Sequence, residues 1–474
     1  MEPIAVTERL GRWSSGRGPL YVLLAARLRQ LIDDGELPPG AALPPDRVFA
    51  AQLAVGRSTV VAAYDLLESE ARIVRRRGSG TRVAGATTVA TPETTDAPMF
   101  LHLLEPRPDV ISLACAAPES PPPEVAEAYA QILPELSSTT ADIGYYPGGH
   151  PALRTAIAER YLRQGVPTRP DEVLVTNGGQ QALSLLARAF LRPGDRVLLE
   201  TPTYPGALEA FREAGALLHP LPLGLDGFEA AARTHRSALA YVTPTFQNPT
   251  GAVLSALVRR RLVEVAAAVD VPLVADEIVA DLGFPGEDLP QPLAADAATV
   301  ITIGSLSKNI WGGLRVGWVR ASAATIARLT RLRAVHDLGG NLPAQLAAAH
   351  LVPRIDVLCA ARAAQRESCH DLVLGALSRK LPDWSVTPVR GGQTLWIRLP
   401  YGDGSSFAQT ALRHGVAILA GSGLDVSGRS DGYVRIHFRH PPQTLTEAVD
   451  RLAGAWRAYH PPSRTTPAPP ALAV

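Results

Sequence analysis

At 474 residues, with 46% hydrophobic and 19% charged side chains and a net charge of +1, the chain is globular and long enough for two or three domains. Its three cysteines, Cys115, Cys359 and Cys369, are too few and too scattered for a disulfide framework or a zinc site, which points to a reducing cytoplasm. The N-terminus MEPIAVTERLGRW has no apolar core of a signal peptide, and no run of eighteen apolar residues occurs, so neither secretion nor a membrane span is expected.

The charge is unevenly spread: residues 1–85 hold twelve Arg, no Lys and nine Asp+Glu, so the basic excess lies at the start. Residues 19–34 place Leu20, Leu23, Leu24, Leu28, Leu31 and Ile32 at helical spacing, ended by Gly35 and the Pro-Pro-Gly of 38–40. A short helix over 46–54, a turn at Val55-Gly56-Arg57-Ser58 and a third helix over 58–70, with Ser58 as N-cap, make a helix-turn-helix. ARIVRRRGSGTRVAG then alternates, turns at Gly78-Ser79-Gly80 and returns, a two-stranded wing.

If the third helix enters a major groove of double-stranded DNA, Arg57, Ser58 and Thr59 at its start meet base edges or phosphates. Arg47 and, in the wing, Arg75, Arg76, Arg77 and the Gly80 tip then supply backbone contacts. The alternative is a structural cap with a solvated arginine face. Through the initial helix, the run LPPDRVFAAQLAVGRSTVVAAYDLLESEARI and the wing RRGSGTRVA, residues 19–84 resemble the winged-helix domain of GntR-type bacterial regulators. Pro45-Asp46 stands where that family usually has Ser or Thr before its arginine, and Ala71-Arg72 where Gly-Leu is common.

Residues 85–98, rich in Thr, Ala and Pro, read as an extended linker. The domain limits that follow are 1–84 for the winged helix, 85–109 for the linker, 110–460 for a second domain with a smaller α+β unit over about 366–460, and 461–474 for a disordered tail. In the second domain, helices over 151–163 and 180–191 alternate with strands at 173–176, 196–200, 239–243, 271–275 and 299–303. Such alternation predicts an α/β fold with a mostly parallel sheet and ligands at the strands' carboxyl ends. Further strands are expected near 393–399 and 433–438.

Among 46 Lys+Arg residues only two are lysines. Lys380 ends a helical pattern and is expected to face water. Lys308, in ITIGSLSKNIWGGLRVG, follows a buried strand, where a lysine, unlike an arginine, can lose its proton and form a Schiff base. Gly179 and Gln180 open a helix after the strand 173–176 and expose backbone N–H groups of the kind that hold phosphate, with Ser305 and Arg315 completing the cup. Tyr204 is suited either to lie over a flat ring or to pack in the core. Asn248 and Asp276 also follow strands, and a carboxylate at such a place needs a partner. A phosphorylated, cationic, planar aldehyde answers these demands together: pyridoxal 5'-phosphate (PLP), with Lys308 on the aldehyde, Asp276 on the ring nitrogen and Asn248 on the ring oxygen.

Through GYYPGGHPALR, TNGGQQAL, TPTYPG, FQNPTG, ADEI, SLSKNIWGGLRVGW and YVRIHF, residues 110–455 resemble class I/II aminotransferases of fold-type I. The resemblance implies that Arg435 binds a substrate or effector carboxylate and that Tyr145, or its neighbour Tyr146, reaches the cofactor phosphate of a second subunit in a homodimer. It also implies a tyrosine about three residues after the Asp, bonding the ring oxygen; Val279 stands there instead. A winged helix joined to such a domain resembles the MocR group of GntR-type regulators. That implies a transcription regulator sensing PLP, an amine or an amino acid. The alternative is an active aminotransferase with an accessory DNA-binding head.

Overall fold

In the computed structural model, α1 (Pro3–Leu10) and α2 (Leu20–Asp33) are followed by the short strand β1 (Ala42–Leu43), α3 (Asp46–Gln52), α4 (Arg57–Ser69) and the wing strands β2 (Ile73–Arg76) and β3 (Gly80–Val83). The described residues are 3–11, 13, 19–33, 36–37, 41–69, 72–76, 80–83, 109–138, 142–235 and 237–461. They fall in two compact units, Met1–Ala97 and Pro98–Val474. Apart from Asp109 and Pro461, the expected linker and tail, and Arg77, Gly78 and Ser79 of the wing, lie outside the described residues.

In the first unit the leucines at helical spacing on α2 face inward as expected: Leu24, Leu28 and Leu31 close a core with Val6, Phe49, Val60 and Tyr64. The buried Tyr64 hydroxyl donates to Pro44 O at 2.8 Å, so its polar end is satisfied. β3 is the central strand, pairing antiparallel with β1 and β2. Two expectations change. Helix α4 starts at Arg57, which moves the cap position to Gly56 and leaves Ser58 inside the first turn. Helix α1 carried too few apolar residues to stand out in the sequence.

The second unit is built on seven strands: β5 (Val173–Thr176), β6 (Arg196–Glu200), β7 (Leu217–Leu221), β8 (Leu239–Val242), β9 (Leu273–Asp276), β10 (Ile301–Ser305) and β11 (Gly317–Arg320), after a two-residue β4 (Ile111–Ser112). Their order is β5-β11-β10-β9-β8-β6-β7, parallel except for β11, which runs against both neighbours. The residues of β5, β8, β9, β10 and β11 are all buried, the near-continuous apolar pattern of a sheet covered on both faces. β9 and β10 run about two residues later than expected. Pro272, which has no N–H, stays outside β9, and β10 extends because Ser305 pairs with Gly317. Asp276 is therefore the last residue of its strand. β7 and β11 were not anticipated.

The smaller unit has the strand order β12 (Ser385–Val386), β13 (Thr394–Arg398), β16 (Tyr433–His437), β15 (Leu419–Ala420). Its own core joins Leu395, Ile397, Phe407, Val434 and Leu452. The fourteenth strand, β14 (Val416–Ala417), pairs with β4, tying residues 111–112 to this unit. Among the described residues, no helix is long and apolar enough to cross a membrane.

Candidate functional site

The strand ends of β5, β8, β9 and β10 bring the expected residues of the second unit together. Asp276 is 6% exposed, and its carboxylate accepts from the Tyr241 hydroxyl at 2.7 Å and from the Ile278 N–H at 3.1 Å. Burial raises its pKa, and those hydrogen bonds and nearby Lys308 oppose the rise. Tyr241 was missed. The signal was a hydroxyl in the otherwise apolar strand LAYV, since a buried tyrosine needs a partner.

Lys308 follows β10 in a wide helical turn, Ser307–Trp311. Its Nζ donates to Ala116 O at 2.5 Å, and burial pulls its ammonium below the ordinary lysine value. Lys380, by contrast, is at the surface, paired with Asp450. Arg435 on β16 is 5% exposed. It donates to Ala114 O and, at 3.1 Å, to Asn248 Oδ1, while its Nε finds no partner among the described residues. Burial pushes its pKa down to about 10. The bond to Arg435 orients Asn248 so that its amide N–H₂ remains for a ligand.

The phosphate-type cradle lies at the start of the helix Gly178–Phe190, two residues earlier than expected. Gly178, with φ 78°, needs glycine, and a Cβ there would come within 2.7 Å of Arg315 Nη2; one on Gly179 would meet the tip of Ile278 at 2.3 Å and push it aside. Arg315, with φ 51°, donates to Asn177 O at 2.6 Å across this turn. Ser305 is buried; its Oγ lies 3.0 Å from Ser307 Oγ and accepts the Ser307 N–H, so two hydroxyls sit where one was expected. Tyr204 donates to Gln180 Oε1 at 3.2 Å, and Gln180 Nε2 donates to Gly206 O. Burial raises the Tyr204 pKa. Val279 packs against the core of the sheet and brings no polar group to the site. Of the two tyrosines left open, Tyr146 donates to Asp142 at 2.6 Å, whereas Tyr145 is 62% exposed.

The residues fit PLP on their own chemistry. A buried carboxylate at a strand end has no ion pair among the described residues, a lysine of lowered pKa stands near it, and a turn held by an arginine needs glycine at Gly178. Bound there, PLP supplies an aldehyde and, through its protonated ring nitrogen, an electron sink.

In the first unit, Arg57, Ser58 and Thr59 form the opening of α4, with Arg57 and Ser58 exposed and Thr59 half-buried. Arg57 pairs with Asp46 at 2.8 Å, and Asp46 also accepts the Arg47 N–H. The Arg57 bond holds the Asp46 carboxyl below its usual pKa. Asp46 thus takes up the start of α3, where Pro45 offers no side-chain cap. Arg47 is exposed. Gly80, with φ 81°, is exposed with open space around it, paired with Arg76, of whose side chain nothing is described. Arg75 departs from expectation. It pairs with Asp65 at 2.7 Å, donates to Val61 O and lies over the Tyr64 ring, so it braces the wing against α4.

Residues 108–452 match the family of class I and II aminotransferases, and residues 20–83 match the bacterial regulatory proteins of the gntR family. The chain is 33% identical over 370 residues to 2-aminoadipate transaminase of Thermus thermophilus, covering 74% of this chain and 91% of that one. It is 28% identical over 470 residues to the HTH-type transcriptional regulator TauR of Rhodobacter capsulatus, covering 92% and 96%. The crystal structure of LysN, an alpha-aminoadipate aminotransferase of Thermus thermophilus complexed with N-(5'-phosphopyridoxyl)-L-leucine, superposes with a TM-score of 0.70 at 30% identity, over 77% of this chain and 95% of that one. The second unit thus has the fold-type I PLP-transferase fold, and the first is a GntR-type winged helix. The chain belongs to the class I and II aminotransferase family and, with its GntR domain, to the MocR group of regulators.

Proposed function

We propose that this chain is a DNA-binding transcription regulator that uses its PLP site as a sensor. The observation that carries the reading is Val279. On the same chain as a winged helix stands a cofactor site with its lysine, aspartate, asparagine and phosphate cradle, but without a hydroxyl at 279 to tune the cofactor's ring oxygen. Asn248 is left as the side-chain donor to that oxygen, which favours holding the cofactor over rapid turnover.

In this reading Lys308 takes the aldehyde, Asp276 the ring nitrogen, and Tyr204 the ring face. Gly179, Gln180, Ser305 and Arg315 take the phosphate, with Ser307 as an added hydroxyl. The orphan Nε of Arg435 favours an effector bearing a carboxylate. Tyr145, exposed and with no hydroxyl bond to its own chain among those described, is the tyrosine suited to reach a second subunit of a homodimer. Arg47, Arg57, Ser58, Thr59, Arg76 and Gly80 form the DNA-contacting face. Binding at the cofactor site alters DNA affinity only through different contacts in two states.

The test is genome-wide DNA capture by the full chain with and without added PLP and amino acids. Occupied sites are expected to change; an unchanged pattern sinks cofactor sensing. A second reading, an active aminotransferase, is favoured by the intact Arg435–Asn248 arrangement. Sustained amino transfer to 2-oxoglutarate by the full chain, at rates that Val279→Tyr does not raise, would establish it.

A further inference from the structure

Tyr204, which takes the ring face in the proposed function, is half-buried, so part of its ring is open to a ligand. Its position is fixed from several sides. The ring folds over Gly206, where a Cβ would come within 2.6 Å of Tyr204 Cε1, and the hydroxyl donates to Gln180 at 3.2 Å. A further constraint lies in the three residues before it. They leave β6 without continuing as strand or helix, so their backbone groups find partners elsewhere. The Thr201 N–H donates to Leu221 O at 2.9 Å, Gln247 Nε2 to Pro202 O at 2.6 Å, and the Thr203 N–H to Leu424 O at 2.8 Å. This turn is thus held by the end of β7, by the residue before Asn248 and by the smaller unit.

The Thr201 side chain adds a bond of another kind: its hydroxyl donates to Asp425 Oδ1. Asp425 is 7% exposed and pairs with no cation among the described residues. Its own turn supplies donors instead. The Ser427 N–H and Oγ, each at 2.6 Å, reach Oδ1, and the Arg429 N–H reaches Oδ2 at 3.0 Å. Burial alone would raise its pKa, but hydrogen bonds from Ser427, Thr201 and Ser430 overcome that and bring it down to about 2. A carboxylate kept charged in this way makes a charge-assisted bond to Thr201, roughly twice as strong as a neutral one. Whereas the Ser427 and Arg429 donors are local, Thr201 lies 224 residues away, so its bond joins the smaller unit to the end of β6. That unit also grips the other cofactor loop: Arg435 bonds Asn248, and Thr394 Oγ1 donates to Pro249 O at 3.2 Å.

We propose that Asp425 and Thr201 are positioning residues for the cofactor: through their bond the smaller unit sets the backbone before Tyr204, and with it the angle at which the Tyr204 ring meets the PLP ring. The proposal rests on the reading of Tyr204 as the ring-face residue, and both side chains act through that ring.

The test uses the full chain with PLP, followed by equilibrium dialysis and by the circular dichroism of the cofactor's visible band per bound cofactor. Thr201→Val keeps the side-chain shape and removes the hydroxyl, whereas Thr201→Ser keeps the hydroxyl. The valine variant is expected to bind PLP about fivefold more weakly, with an altered band, and the serine variant to stay within about twofold of wild type. In a Tyr204→Leu background the same Thr201→Val change is expected to cost less than about twofold, because the ring through which it acts is gone. An undiminished effect in that background, or wild-type affinity and band in Thr201→Val, overturns the proposal and leaves the bond a purely structural one. Wild-type affinity in Tyr204→Leu itself overturns the ring-face reading and the proposal with it, an outcome the Thr201 variants alone cannot give. If Thr201→Val loses the far-ultraviolet circular dichroism of the folded chain, Asp425→Asn in the same two backgrounds decides the point.

Discussion

Arg57 and Asp46 pair in water, whereas Arg435 and Asp276 stand in the interior with no ion pair among the described residues. The Arg57 side chain is 55% exposed and that of Asp46 30%, while Arg435 and Asp276 are 5% and 6% exposed as residues. An exposed pair contributes at most about 1 kcal/mol, so a DNA phosphate can replace Asp46 at small cost. An interior charge cannot be released to water so cheaply, so Asp276 is held by Tyr241 and the Ile278 N–H, and Arg435 by Ala114 and Asn248. The winged helix has adjustable contacts, and the strand-end site has fixed ones.

That contrast is open to attack, beginning where the effect is largest. Lys308→Ala is expected to abolish the lysine-dependent visible absorbance that the full chain develops with PLP, while leaving DNA retention on heparin-competed gels intact. Asp276→Asn keeps the shape but removes the charge for the ring nitrogen, and PLP affinity is expected to fall roughly 100-fold, about 3 kcal/mol, by equilibrium dialysis. At the surface, Arg57→Ala should weaken DNA binding by about 1–3 kcal/mol and lower the salt dependence by about one phosphate contact in a fluorescence titration. Asp46→Ala frees Arg57 and should tighten DNA binding by no more than about 1 kcal/mol; a larger change, or a weakening, would mean that the pair organises α3 and α4 and is not exchangeable.

The smallest effect is one of pH. The folded Lys308 pKa lies below the ordinary 10.5. Below the folded value both states of the chain carry the proton and the burial penalty on the ammonium is fully present. The penalty is relieved as pH rises from the folded value toward the unfolded one, so this lysine's contribution makes the cofactor-free chain more stable over that window. The neutral amine that attacks the aldehyde is available at correspondingly lower pH. Stopped-flow measurement of PLP attachment should therefore give a midpoint below 10.5, and a midpoint at or above it would show a solvated lysine.

Glycine turns and strand-end polar residues were legible because each breaks a local rule: Asp276 ends an apolar strand, Lys308 departs from an arginine-rich composition, and Gly178-Gly179 opens a helix. The antiparallel β11 was not legible, since GWVR is four residues long and its direction depends on the turn that carries Arg315 into the left-handed region. Tyr241 was hidden for a different reason. Its partner lies 35 residues away, and only the pairing of β8 with β9 brings them together. Arg75 looked like a neighbour of Arg76 and Arg77, but a strand sends alternate side chains to opposite faces, and its face meets Tyr64 and Asp65.

The short stretch Leu113–Ala117 offers a different kind of consequence. Its Ala114 carbonyl takes Arg435 and its Ala116 carbonyl takes Lys308, so two cations that serve different ends of a ligand are fastened to one piece of backbone. Displacing either cation would undo one fastening of this backbone and leave the other in place, so the two residues are mechanically joined through Leu113–Ala117 without touching each other's carbonyl.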